Sequence, residues 1–181
     1  MSKGKLKQAI FSTTADDWKF WAQQYSKETD RGLAIISSAM LDHLLSSLIE
    51  KFLVDDQKAT KELLCNSMSP LGTFAARIAI ACSMGLISYD ERDDLNIIRE
   101  IRNKFAHKAI GLTFESEQIS KFINKLKIPK LLTIYGIKRQ NNTNRSTFID
   151  AASMISTFIE KRREMLSERR TPAEKFIFQK T

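Results

Sequence analysis

Apolar residues recur along most of this chain at intervals of three and four, the spacing of a helix face. Trp18, Trp21, Ala22 and Tyr25 stand at i, i+3, i+4 and i+7 and predict a helix over 15–27, its aromatic stripe suited to core or dimer packing. Asp30 is the expected N-cap of a second helix running to about Val54, apolar over most of its surface and therefore central. A short helix over 57–64 and a loop at 66–69 lead to Pro70, placed in the first turn of a helix that reaches about Met84. Its buried stripe is Leu71, Phe74, Ala75, Ile78 and Cys82. Gly85 ends that helix at C′, and a helix over 90–107 follows. Gly111 marks a break before an amphipathic helix over 115–126, which Pro129 stops. Leu131 to Ile137 has strand-like composition, read as a ribbon or a loop. The final helix spans 146–170 and carries Phe148, Ile149, Ala152, Ile155, Phe158 and Ile159 on one face. These elements predict an all-α, up-and-down bundle of about six or seven helices. Residues 1–29 form a lead-in and first helix, 30–110 the core, and 111–181 a basic C-terminal part.

Composition sharpens this picture. Six Gly and three Pro in 181 residues are too few for a turn-rich β fold. No uninterrupted apolar run reaches the ~18 residues of a membrane span, and the N-terminal apolar stretch is too short for a secretory signal. Cys65 and Cys82 are isolated and read as reduced, buried thiols, so a cytoplasmic protein with no membrane association is expected. The net charge of +8 is unevenly placed: residues 1–110 hold 15 Lys and Arg against 14 acids, residues 111–181 hold 14 against 7. Between Lys121 and Arg145 seven basic residues, among them Lys130, Lys138, Arg139 and Arg145, meet no acid. Such a run points to a nucleic acid or an acidic protein surface.

The polar groups suited to phosphate chemistry are densest in IIREIRNKFAH, residues 97–107. Leu95, Ile98, Ile101 and Phe105 form a core stripe of about 120°. Arg99, Asn103 and His107 follow at i, i+4 and i+8 on a second stripe, with Arg102 at the border and Lys104 beyond it. One reading is a helix buried on one face and charged on the other, with His107 answering the helix dipole. The other is a phosphodiester site, since Arg forks onto phosphate and His serves acid–base chemistry near neutrality. Arg77 requires a carboxylate partner that the sequence does not name. Arg31 is read as structural and His43 as a surface or satisfied histidine. With two His and no metal-ligand spacing or nucleotide-binding glycine motif, no metal and no cofactor are expected.

Arg102-Asn103-Lys104-Phe105-Ala106-His107 matches the R-N-x-x-x-H signature of the HEPN superfamily of small helical bundles. Together with DRGLAIISSAMLDHLLSSLIEKFL (30–53) and SPLGTFAARIAIACSMGLIS (69–88), it resembles the mannitol operon repressor (MltR) family within that superfamily. The resemblance covers residues 30–107. It implies a HEPN-like bundle, a likeness to a repressor-type regulator acting through a partner protein or RNA, and a homodimer. In many HEPN proteins the Arg and His form a metal-independent endoribonuclease site. On this chain that alternative makes His107 the acid or base, Arg102 the stabiliser of phosphorane charge and Asn103 the orienting group. In that reading the protein is a toxin or defence nuclease. The segment 81–88 resembles the turn of a helix-turn-helix. However, the helix after it opens with Asp90, Glu91, Asp93 and Asp94, which would meet DNA phosphates, so direct DNA reading through residues 70–107 is excluded.

Overall fold

A computed structural model describes residues 23, 25–107, 111–134 and 142–166. Among them lie seven helices: α1 (Asp30–Phe52), α2 (Gln57–Leu64), α3 (Phe74–Ser83), α4 (Tyr89–His107), α5 (Glu117–Ile123), α6 (Ile128–Ile134) and α7 (Asn144–Met165). The all-α expectation holds. Most of the predicted helix over 15–27 lies outside the described residues.

α1 lays Leu33, Leu41, Leu45 and Ile49 along one buried stripe, with Ala34, Leu44 and Leu48 beside it. Against this helix pack α7, α4 and α3. By length and mean hydropathy (1.5) α1 also meets the criteria for a membrane-crossing helix, yet half of its apolar window is buried inside the bundle. The final helix departs from the one-faced expectation. Every residue from Ala151 to Ile159 is buried. Apart from Met154, its large residues match the predicted stripe, while Ala151, Ser153, Ser156 and Thr157 occupy the other sides, where small side chains let neighbouring backbones approach. α7 therefore shares the centre that the sequence assigned to α1 alone.

Three element boundaries are corrected by polar contacts. Thr29, not Asp30, caps α1, accepting from the Gly32 N–H at 3.0 Å. Asp30 sits in the first turn, where it accepts from the Phe114 N–H at 3.0 Å and from the Arg145 guanidinium. The helix expected from Pro70 begins instead at Phe74, with Thr73 accepting from the Ala76 N–H at 3.2 Å. Pro129 does not stop a helix; it lies in the first turn of α6, where its missing N–H would have no intrahelical partner anyway. Leu131–Ile134 is helical, not strand. The Asp94 carboxylate accepts from the Lys127 and Ile128 N–H groups at 2.8–3.0 Å. This cap, supplied from α4, overrides the local composition of α6.

The chain between α2 and α3 is tight. The Leu71 N–H reaches Leu63 O and the Gly72 N–H reaches Ser69 O, both at 2.9 Å. A Cβ on Gly72 would stand 1.9 Å from the carbonyl oxygen of Asn66. Gly72→Ala is expected to cost about 1–3 kcal/mol through forced backbone displacement, read as a lower urea midpoint at unchanged m-value.

The α3–α4 turn is built from two interlocking caps. Gly85, at φ +70°, ends α3 as expected, with Gly85 N–H to Cys82 O at 3.0 Å and Leu86 N–H to Ala81 O at 2.8 Å. Ser88 and Glu91 then form a reciprocal capping box. The Ser88 N–H donates to Glu91 Oε2 at 2.7 Å, and the Glu91 N–H donates to Ser88 Oγ at 3.2 Å.

Candidate functional site

α4 organises the candidate site. Leu95, Ile98, Ile101 and Phe105 are all buried as their period requires, and Phe105 stacks at a tilt on Phe114, 5.2 Å between ring centres. This anchored stripe fixes the rotation of the helix and so aims its polar residues. Arg99 and Asn103 are half-buried, while Arg102 and His107 are exposed. Arg102 Nη1 donates to Asn103 Oδ1 at 3.1 Å, and Arg99 Nη2 donates to Glu100 Oε1 at 3.1 Å. Lys104 points elsewhere: its Nζ stands 5.1 Å from the Phe122 ring centre of α5, which Lys125 also covers.

Arg99, Arg102 and Asn103 form one wall of an open cleft of about 390 Å³. Ile35, Ser38, Ala39 and Asp42 of α1 make the second wall, and Thr73, Phe74 and Ala75 at the start of α3 make the third. His107, the last residue of α4, is not part of this lining. Within one chain, then, the cleft joins three of the polar residues of the 97–107 stretch but not the Arg102–His107 pair.

The carboxylate for Arg77 is Asp42. Arg77 Nη1 lies 2.7 Å from Asp42 Oδ1, and Nη2 donates to Leu64 O at 3.0 Å. His43 is exposed. Arg31 reaches the Ala106 carbonyl at 3.5 Å, near the last turn of α4.

The acids at the start of α4 are built into the fold. Glu91 is buried and receives both guanidinium nitrogens of Arg162 of α7. Asp90 and Asp93 hold the Lys127 ammonium at 3.0 and 2.8 Å. The Lys127 bond and the Arg92 guanidinium keep the Asp93 carboxyl below the usual range. Burial pushes Asp94 up to about 6, against the two N–H groups it caps.

The acid-free basic run is therefore partly neutralised by acids from elsewhere in the chain. Lys127 pairs with Asp90 and Asp93, Lys121 with Glu117 at 2.7 Å, and Arg145 with Asp30. Arg145 also donates to the carbonyls of Ser26 and Glu28, tying α7 to the segment before α1. Lys130 is exposed and donates to Asn124 O at 3.3 Å. Lys138 and Arg139 lie outside the described residues. Sequence reasoning missed Ser38, whose hydroxyl is buried, and Thr73, whose capping role was hidden by the earlier helix start assigned at Pro70.

Residues 23–170 match the family model described as mannitol repressor, MtlR. The chain belongs to the mannitol repressor family. The match extends well past the 30–107 block that carried the resemblance, and it includes α5 to α7. The X-ray structure of the MtlR–HPr complex from Escherichia coli contains a chain of similar fold. The TM-score is 0.61 at 19% identity, over 80% of this chain and 98% of that one. No curated protein matches the sequence. In this mannitol repressor family member, the segment that mimics a helix-turn-helix is a pair of caps, and the acids that follow it are engaged in caps and ion pairs, Glu91 and Asp94 inside the bundle and Asp90 and Asp93 with Lys127 at its surface.

Proposed function

We propose that this chain is a regulator that acts by docking a protein partner rather than by reading DNA through a helix-turn-helix. Membership of the mannitol repressor family supports it, together with a fold shared with an MtlR solved as a complex with HPr. The start of α4 supports it too, because Glu91 and Asp94 are buried in capping and ion pairing, and the outward carboxylates, Asp90 and Asp93, would repel DNA phosphates where a groove-reading helix needs donors. Arg102, exposed near the far end of the same helix, and Lys130, exposed on α6, offer positive charge to an acidic partner. Such charge raises association rates toward an acidic surface in a salt-dependent way.

The test is titration calorimetry of the purified protein with the HPr of its own source organism, beside an RNA mixture in EDTA and a light-scattering mass for the expected homodimer. The expected result is saturable protein binding that weakens as salt is raised, with the RNA left intact. Absence of binding by the folded protein at about 100 µM would sink the partner reading, since that concentration detects even weak complexes. Metal-independent RNA cleavage that disappears in Arg102→Ala/His107→Ala would replace it with the endoribonuclease reading.

A further inference from the structure

We propose that the cleft between α1, α3 and α4 is a binding site for a small phosphate ester. Its phosphoryl group is held by Arg99, Arg102 and Ser38 at the N-terminus of α3, and its uncharged body lies on Ile35 and Phe74. This site shares Arg102 with the charged surface offered to the partner above, but it is argued from the cleft alone and its test uses no protein partner.

Three observations converge on it. Ser38 lines the cleft and is 4% exposed, and its hydroxyl, enclosed at the cleft wall, has no hydrogen-bond partner. Its neighbour Ser37 shows the usual solution for a helical serine, donating to the Leu33 carbonyl one turn back at 2.6 Å. Ser38 forgoes that bond, and a buried hydroxyl without a partner is costly. Arg99 Nε is likewise buried without a partner while the guanidinium borders the cleft. At the third wall Thr73 caps only the Ala76 N–H, so the first amides of α3, on Phe74 and Ala75, have no partner inside the helix. A helix start of this kind favours an anion.

The charge balance agrees. Asp42 is the carboxylate of the cleft, and Arg77 already neutralises it at 2.7 Å. Glu100 pairs with Arg99 at 3.1 Å, so Arg102 carries the remaining positive charge of the site. The remaining N–H groups of two guanidiniums, one of whose nitrogens is engaged by Glu100 and one by Asn103, together with a hydroxyl and the amides of a helix start, are still more donors than the two oxygens of a carboxylate can accept, and they suit the three terminal oxygens of a phosphate monoester. A volume of about 390 Å³ falls in the range of small-molecule sites.

The experiment is calorimetric titration of the full chain with phenyl phosphate, with inorganic phosphate and benzoate in parallel. Phenyl phosphate is expected to bind more tightly than either. Arg99→Gln/Arg102→Gln should weaken it about tenfold or more, as loss of charge-assisted forks does. Ser38→Ala should weaken it several-fold while leaving the thermal midpoint unchanged or slightly raised, because it deletes an unsatisfied buried hydroxyl. This second variant keeps the test valid should the double variant fold poorly. No binding by wild type up to about 20 mM, beyond the weakest affinity of a functional site, would overturn the proposal. So would binding indifferent to both variants. Benzoate binding as tightly as phenyl phosphate would overturn the phosphate assignment, and inorganic phosphate doing so would overturn the apolar body.

Discussion

Arg162→Ala is expected to lower the unfolding free energy by about 3–5 kcal/mol, the cost of leaving a buried charge without its partner. The Arg162 and Glu91 side chains are 8% and 1% exposed, and Arg162 Nη2 meets Glu91 Oε2 at 2.9 Å. The same carboxylate accepts the Ser88 N–H, so the loss reaches the cap of α4 as well as its joint with α7. For a domain of this size the thermal midpoint should fall by roughly 10 °C. Denaturant unfolding and a thermal scan both read it. Glu91→Gln combined with Arg162→Met removes both charges and keeps an oxygen for the Ser88 N–H, so it should recover most of the loss. If Arg162→Ala cost less than about 1 kcal/mol, the value of an exposed pair, the buried bridge would not be what joins these helices.

Asp94 carries the second large effect, and its sign is fixed by the direction of its shift. Burial raises the carboxyl from 3.8 to about 6 in the folded protein. Between pH 4 and 6 the folded chain keeps a proton that the unfolded chain releases. Stability from this group is therefore highest below pH 4, falls as pH rises to about 6, and is flat beyond. The fall amounts to about 3 kcal/mol at 1.36 kcal/mol per pH unit. Asp94→Asn cannot titrate. It also offers one acceptor where two N–H groups, those of Lys127 and Ile128, need one, which costs about 1–3 kcal/mol. Urea unfolding of the two proteins at intervals from pH 4 to 7 should show the wild type losing about 3 kcal/mol relative to the variant, enough to close or reverse the gap between them. A gap that stays constant would mean that Asp94 is ionised throughout.

The sequence showed what repeats locally and hid what is supplied from far away. The α4 stripe was legible because Leu95, Ile98, Ile101 and Phe105 follow the helical period and nothing distant competes with it. Gly85 was legible for the same reason, since a positive-φ cap is a local demand. Asp30, Pro70 and Pro129 misled because each fits two positions at a helix start, and remote contacts decided between them. The Asp94 carboxylate that caps α6 comes from 33 or 34 residues away. The partners of Arg77 and Arg162 lie 35 and 71 residues away. The basic run from Lys121 to Arg145 looked stronger in sequence than in the fold, because its neutralising acids come largely from the beginnings of α1 and α4. Of the candidate site, Arg99, Arg102 and Asn103 could be named from α4 alone. The cleft could not, because two of its walls belong to other helices and its most telling atom is a serine hydroxyl that ordinary helical bonding would have satisfied.

The docking of α7 along α1 also sets a timetable for synthesis. When α1 is complete, roughly 90–110 residues remain to be made before its main partner exists, and at ~5–20 residues per second that takes on the order of 5–20 s. Throughout that interval Leu33, Leu41, Leu45 and Ile49 form an apolar stripe without its longest cover. The nascent chain is then a natural client for chaperones that shield exposed hydrophobic surface, and premature termination before residue 144 would release a sticky fragment rather than a smaller working domain.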